Sequence, residues 1–219
     1  AMIGGISYFH EFAYDLLAEN ERIISSTFDA AIKSYKSQRL KKITVLSSSM
    51  VYESCDIYPT SEGMQLSSPP PLSTYGFQKL AVEYFAKGAY EQYKLPYTIV
   101  RPFNCIGIGE KRARSDKDIM SGNIKLALSH VVPDIIQKIA KGQSPLHILG
   151  DGKQIRHYTY GGDLAKGIRK CIEHKNALNN DFNISTDRST NVLELSEIIW
   201  NKMNQGIEFK VVNDKPYTY

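Results

Sequence analysis

The chain has 219 residues, with 27 lysines and arginines against 23 aspartates and glutamates and a net charge of +4. That excess is small and spread along the chain, so it gives no argument for a nucleic-acid partner, though it suits an anionic small substrate. Hydrophobic residues make up 42%, enough for a packed core, which excludes a disordered chain. From Tyr14 to Leu40 the residues Leu16, Leu17, Ile23, Ile24, Phe28, Ala31 and Ile32 recur at helical spacing. Lys42 to Leu46 is a short apolar run with basic flanks, expected to be a strand buried on both faces as in a parallel sheet. Ser47 to Ser49 follow at its carboxyl end, and residues 52–72, rich in proline, read as a loop. Ser73-Thr74 offers an N-cap for a second helix running to about Tyr93. Tyr97 to Arg101 is a second buried strand, halted by Pro102.

Cys105 to Ser129 is glycine-spotted and charged, with the basic stretch Lys111-Arg112-Ala113-Arg114, and is expected to be a mobile loop on the substrate side. Beyond it the pattern predicts a helix over Pro133–Lys141, a strand over Pro145–Leu149, a turn at Gly150-Asp151-Gly152 and extended chain over Arg156–Tyr160. A helix over Asp163–His174, a strand over Phe182–Ile184 and a helix over Val192–Met203 complete it. Strands alternating with helices give an α/β fold with a largely parallel sheet. The cysteines Cys55, Cys105 and Cys171 are far apart and form no CxxC pair. They read as free thiols in a reducing compartment, and no metal site is expected. No apolar run approaches the roughly 18 residues of a membrane span, and no signal peptide is visible, so the expected location is the cytoplasm, with no membrane partner.

Tyr75 and Lys79 stand four apart on the second predicted helix and share a face. A lysine ammonium near a phenol stabilises phenolate and lowers its pKa from about 10, which makes tyrosine a usable general acid/base. The motif alone is weak, because 14 tyrosines give about one such pair by chance and Tyr90 and Lys94 form another. An isolated pair of this kind is ordinarily a surface helix pair. Tyr75 differs in following a strand that ends in serines, and in open α/β sheets ligands bind at the carboxyl ends of strands. A serine there can hydrogen-bond the oxygen that the tyrosine deprotonates, although strand-end serines are often only turn formers.

Four ordered blocks carry a family resemblance: Leu46-Ser47-Ser48-Ser49-Met50-Val51-Tyr52, Ser73 to Lys79, Ile99-Val100-Arg101-Pro102-Phe103-Asn104, and Pro145 to Tyr158 with Gly150-Asp151-Gly152 inside it. Together they resemble the extended short-chain dehydrogenase/reductase family, in its NAD-dependent nucleotide-sugar epimerase and dehydratase branch, over essentially the whole chain. The resemblance implies a partial Rossmann-like parallel sheet with helices on both faces plus a smaller substrate-binding α/β part. Residues 1–104 would be the C-terminal half of a dinucleotide-binding domain. Residues 105–219 would be mainly substrate-binding, with some segments returning to the Rossmann sheet. It implies Ser48, Tyr75 and Lys79 as catalytic residues, with Tyr75 the acid/base and Lys79 also holding the nicotinamide ribose. Ser47, Pro102 and Phe103 join Tyr75 and Lys79 on the cofactor, NAD rather than NADP. Ser48, Asn104, Arg156 and His130 would contact the nucleotide sugar. Arg156 has a chemical warrant too, since guanidinium suits phosphate oxygens. A surface helix-cap role for His130 is an equal alternative, and an ordinary solvated charge is the alternative for Arg156.

The chain departs from the family pattern. It has no GxGxxG or GxxGxxG segment for the cofactor pyrophosphate, so it is expected to be an internal piece of a larger enzyme and to bind NAD poorly by itself. Ser49 and Met50 stand where dehydratases of the branch place acidic residues and 3,5-epimerases a cysteine, and neither residue can act as an acid. What remains is oxidation and reduction at one sugar carbon, which suits a 4-epimerase. The alternatives are a dehydratase or dehydrogenase on the same scaffold and a non-catalytic NAD-sensing or scaffold protein. In the family the two matching helices pair with their copies, so a homodimer through helices 14–40 and 73–93 is expected.

Overall fold

Helix α1 (Ala13–Lys36) turns Leu16, Phe28 and Ala31 inward, each less than 9% exposed. It stops four residues short of the expected Leu40 because Gln38 takes φ +60°, a left-handed conformation that ends a helix. The computed structural model describes residues 12–108, 118–121, 124–127, 130–204 and 206–214. Strand β1 (Ile43–Leu46) and strand β2 (Tyr97–Pro102) run parallel, with Ile43 opposite Tyr97 and Leu46 opposite Val100. Between them lies helix α2 (Thr74–Tyr93), the crossover that a parallel pair requires. Ser73 caps α2 by accepting a 3.0 Å hydrogen bond from the Gly76 N–H, and Lys94 at φ +60° ends it just before Pro96.

Strand β2 is the centre of the sheet. Thr98, Ile99, Val100 and Arg101 have no exposed surface. Its second parallel neighbour is Asn180–Ile184, which pairs Thr98 with Asn180 and Pro102 with Ile184. Strand β1 is the edge of this sheet among the described residues, so the expectation that it is buried on both faces holds only in part: Val45 is buried but Leu46 is 50% exposed. Phe28, Ala31, Val45, Val82, Ala86, Ala89, Leu95 and Ile99 form the core between the sheet and the two helices.

The rest of the chain adds β3 (Cys105–Ile106), β4 (Asp118–Ser121), β5 (Ile124–Ala127), α3 (Val131–Ala140), β6 (Leu146–Leu149), β7 (Ile155–Arg156), β8 (Thr159–Tyr160) and α4 (Gly161–Glu173). Strand β9 (Asn180–Ile184), β10 (Thr190–Asn191), α5 (Val192–Met203) and β11 (Val211–Asp214) follow. Helices α3 and α5 pack on the parallel pair β6–β11 around a second core of Ile135, Ile139, Leu146, Ile148 and Trp200. The expected loop over Cys105–Ser129 contains β3 and an antiparallel β4–β5 pair instead. Its basic stretch Lys111–Arg114 lies outside the described residues. Among the described residues no helix is long and apolar enough to cross a membrane, and no three metal-binding side chains gather.

Candidate active site

The site is assembled at the carboxyl end of β1. Ser48 has extended backbone and caps a short 3-10 turn, Ser49–Tyr52; its hydroxyl accepts from the Met50 N–H at 3.2 Å. The Ser48 side chain is the hydrogen-bonding group that opposes the upward shift of the Tyr75 phenol. The first turn of α2 is pressed against this 3-10 turn. A Cβ at Gly76 would stand 2.6 Å from the Pro71 Cβ and 2.8 Å from the Met50 carbonyl oxygen, so the approach that brings Tyr75 to Ser48 requires glycine. The Glu53 carboxylate fixes the same turn by accepting from the Ser73 N–H at 2.8 Å and the Ser73 hydroxyl at 2.9 Å.

Lys79 lies one turn further along α2, its Nζ 5.8 Å from the centroid of the Tyr75 ring. It donates to the Leu46 carbonyl at 3.0 Å. Burial pushes the Tyr75 phenol above its ordinary range, with the Ser48 hydrogen bond opposing, and burial pushes the Lys79 ammonium down. Both groups have lost water, and Lys79 spends a hydrogen on a backbone carbonyl rather than on the phenol, so desolvation decides both signs.

Beneath these three residues runs a buried polar network that the sequence reading missed. Arg101 Nε and Nη2 each donate to Glu83 at 2.7 Å, while Nη1 pairs with Asp181 at 2.6 Å and donates to the Tyr52 hydroxyl at 2.9 Å. Ser47 directs its hydroxyl into this network, to Glu83 at 2.6 Å and the Lys79 carbonyl at 3.2 Å. Its side chain is therefore committed inward. Tyr52 donates to Asn183 at 2.9 Å, and burial holds its phenol at about 12. The signal that could have found the network was a charged residue inside an apolar strand, Arg101, with Glu83 one turn beyond Lys79.

The remaining expected residues lie on the following elements. Pro102 ends β2. Phe103 packs against Val51, Tyr52 and Cys55, with its N–H on the Ile184 carbonyl at 3.1 Å. Asn104 has φ +36°, and its carbonyl accepts from the Thr159 N–H at 3.1 Å, which joins the end of β2 to β8. Arg156 is exposed on β7 and donates to the Ile155 carbonyl at 2.8 Å. His130 is exposed at the start of α3. The structure thus brings Ser48, Tyr75 and Lys79 together and leaves Arg156 and His130 on separate elements. Near Arg156, the Tyr158 hydroxyl is buried without a hydrogen-bond partner among the described residues.

The donor set tests the cofactor. An ammonium and a phenol side by side at the end of a parallel strand fit the hydroxyls of the nicotinamide ribose. The described residues present no glycine-rich strand–turn–helix for the pyrophosphate. The sheet and its helices define a Rossmann-like protein. The chain belongs to the NAD dependent epimerase/dehydratase family, whose model matches residues 1–185.

A relative from Methanocaldococcus jannaschii, named "Putative UDP-glucose 4-epimerase", is 32% identical over 176 residues, which are 80% of this chain and 50% of that protein. Among solved structures, the UDP-N-acetylglucosamine 4-epimerase of Methanobrevibacter ruminantium in complex with UDP-N-acetylmuramic acid is 27% identical with a TM-score of 0.68, covering 97% of this chain and 63% of that one. An epimerase of Methanothermobacter thermautotrophicus, 20% identical, shares the fold with a TM-score of 0.80 over 99% of this chain and 58% of its own. The chain thus spans about half the length of that curated relative and about three fifths of the two solved chains.

Proposed function

We propose that the whole protein interconverts a nucleoside-diphosphate hexose and its C4 epimer, using NAD rather than NADP. The observation that carries this reading is the grouping at the end of β1, where Lys79 lies 5.8 Å from the Tyr75 ring and donates to the Leu46 carbonyl, with Ser48 at the head of the adjoining turn. NAD supplies a reversible hydride acceptor. Tyr75 takes the proton of the sugar hydroxyl as the carbon is oxidised and returns it on reduction. Ser48 donates to the developing oxyanion, and Lys79 orients the ribose and supplies positive charge. The 4-keto sugar turns over between the two transfers, so no net redox change results. Asn104 and Arg156 are proposed donors to the diphosphate, His130 a nucleotide contact, and Pro102, Phe103 and the Ser47 main chain the wall beside the nicotinamide. Residues 1–104 are proposed as the dinucleotide side of the molecule and 105–219 as mainly the substrate side.

Ser49 and Met50 favour epimerisation over dehydration, because neither side chain can protonate a leaving hydroxyl. The protein is expected to equilibrate a sugar pair when UDP-, GDP- and dTDP-sugars are followed by NMR of the anomeric and C4 protons. Accumulation of a 4-keto-6-deoxy sugar would move the assignment to a dehydratase. Net NADH release would move it to a dehydrogenase. Silence with every sugar in the presence of NAD would leave a non-catalytic protein.

A homodimer through α1 and α2 is proposed as well. Phe77 and Tyr84 lie seven apart on one face of α2 and are 49% and 61% exposed, and Tyr14 on α1 is 77% exposed. Closed two-fold dimers are the commonest oligomer. Solution scattering of the whole protein at micromolar concentration should give twice the monomer mass; a monomer mass would refute the assembly.

A further inference from the structure

Two ties hold the end of β1 against α2. One is the reactive contact itself, Ser48 to Tyr75. The other lies one residue earlier in the strand and two turns further along the helix, where the Ser47 hydroxyl meets Glu83 at 2.6 Å. Glu83 is 1% exposed and Arg101 0%, and the bidentate pair they form is anchored to the third strand through Asp181 at 2.6 Å. Gln65 adds a 3.2 Å donor to the same carboxylate. The network therefore touches β1, α2, β2 and β9, and it contacts the main chain of Lys79 through Ser47 at 3.2 Å.

We propose that Glu83 and Arg101 are positioning residues for the Tyr75 site: their buried pair, reached through Ser47, sets the height of the Ser48 hydroxyl against the phenol. The pair touches no reacting atom in this assignment. A buried, fully hydrogen-bonded ion pair has one geometry, whereas an apolar contact between a strand end and a helix would allow sliding. The proposal rests on the epimerase reading for its effect on turnover, but not for its effect on Tyr75 itself.

Among the described residues, Ser48 from the end of β1 and Lys79 from its own helix face Tyr75, and Glu53 holds Ser73, two residues before it. Of these, the Ser48 hydrogen bond favours phenolate. A Ser47→Ala substitution removes the tie without changing any charge, so it reaches the phenol only through the relative placement of the strand end that carries Ser48 and the helix that carries Tyr75. Glu83→Met combined with Arg101→Met removes both charges together and leaves the net charge as it was.

The test labels the whole protein at tyrosine Cζ and follows the Tyr75 resonance, assigned by its loss in Tyr75→Phe, as pH is raised. In Ser47→Ala the Tyr75 midpoint should move up by about half to one pH unit, the scale of one hydrogen bond. The double variant, if it folds, should move it the same way. Turnover should fall by about tenfold with KM unchanged, since a misplaced hydroxyl harms the reaction rather than binding. An unmoved Tyr75 midpoint in Ser47→Ala, even with a lowered melting temperature, would show that the network serves stability alone and would overturn the proposal. A moved midpoint in a protein that turns over no sugar nucleotide would uphold the positioning role and count against the epimerase reading.

Discussion

Replacing Tyr75 by phenylalanine in the whole protein should lower turnover by roughly 10²–10⁴-fold, the range a positioned acid/base contributes. The control is Tyr90→Phe, which should leave turnover nearly unchanged. The two tyrosines make a sharp comparison because their helical partners are equally placed: Lys94 Nζ is 5.6 Å from the Tyr90 centroid and Lys79 Nζ 5.8 Å from that of Tyr75. What differs is the surroundings. Tyr90 packs edge-on against Tyr97 at 5.9 Å, and Lys94 donates to the Glu91 carbonyl. Tyr75 has Ser48. Removing the Tyr75 hydroxyl therefore removes the proton carrier, while removing that of Tyr90 leaves a ring contact intact. Steady-state kinetics on both variants decide the matter, and equal losses would mean that the wrong pair has been assigned.

Because burial raises the Tyr75 phenol above the ordinary tyrosine range, its deprotonated form grows only in the strongly alkaline range, and kcat/KM should climb on that limb. Ser48→Ala removes the interaction that opposes the rise, so the climb should shift to higher pH as well as start from a lower level.

The second large effect is on stability. Arg101→Met should destabilise the protein by about 3–5 kcal/mol, the cost of leaving a buried carboxylate without its counter-charge. Glu83 is 2% exposed at its side chain and faces Arg101 at 2.7 Å, and its other partners are neutral: Ser47 and Gln65. Urea denaturation should show the midpoint falling with the slope unchanged. The Glu83→Met, Arg101→Met pair should lose less than Arg101→Met alone, because the carboxylate leaves with the guanidinium. A single variant within about 1 kcal/mol of wild type, the scale of an exposed ion pair, would contradict the burial on which both this expectation and the positioning role depend.

Much of the fold up to β2 was legible because its signals are local. Ser73 before an apolar helix gave the start of α2, and the cap is formed. The apolar run Ile43–Leu46 gave β1, and the Ser–Tyr–Lys group follows from those two elements. The illegible parts depend on distant partners. Strands β7 and β10 are two residues each and exist because Arg156 meets Thr190. Strand β11 exists because Val211 meets Leu146. The Glu83–Arg101–Asp181 cluster is likewise a product of register, since Asp181 reaches Arg101 only once Val100 stands opposite Phe182. The burial of Tyr75 and Lys79 is illegible for the same reason: spacing places an ammonium near a phenol but says nothing of how much water both have lost.

The parallel pairing of β2 with β9 also imposes an order on synthesis. Tyr52 and its acceptor Asn183 are 131 residues apart, so Ser48, Tyr75 and Lys79 are all made well before the strand that locks the network beneath them. At ribosomal speeds the interval between Arg101 and Asp181 is on the order of ten seconds. During it the emerging chain holds a guanidinium whose third anchor has not yet been made and a β2 edge still open to other strands. The site is therefore finished late in the order of translation, by residues that take no part in its chemistry.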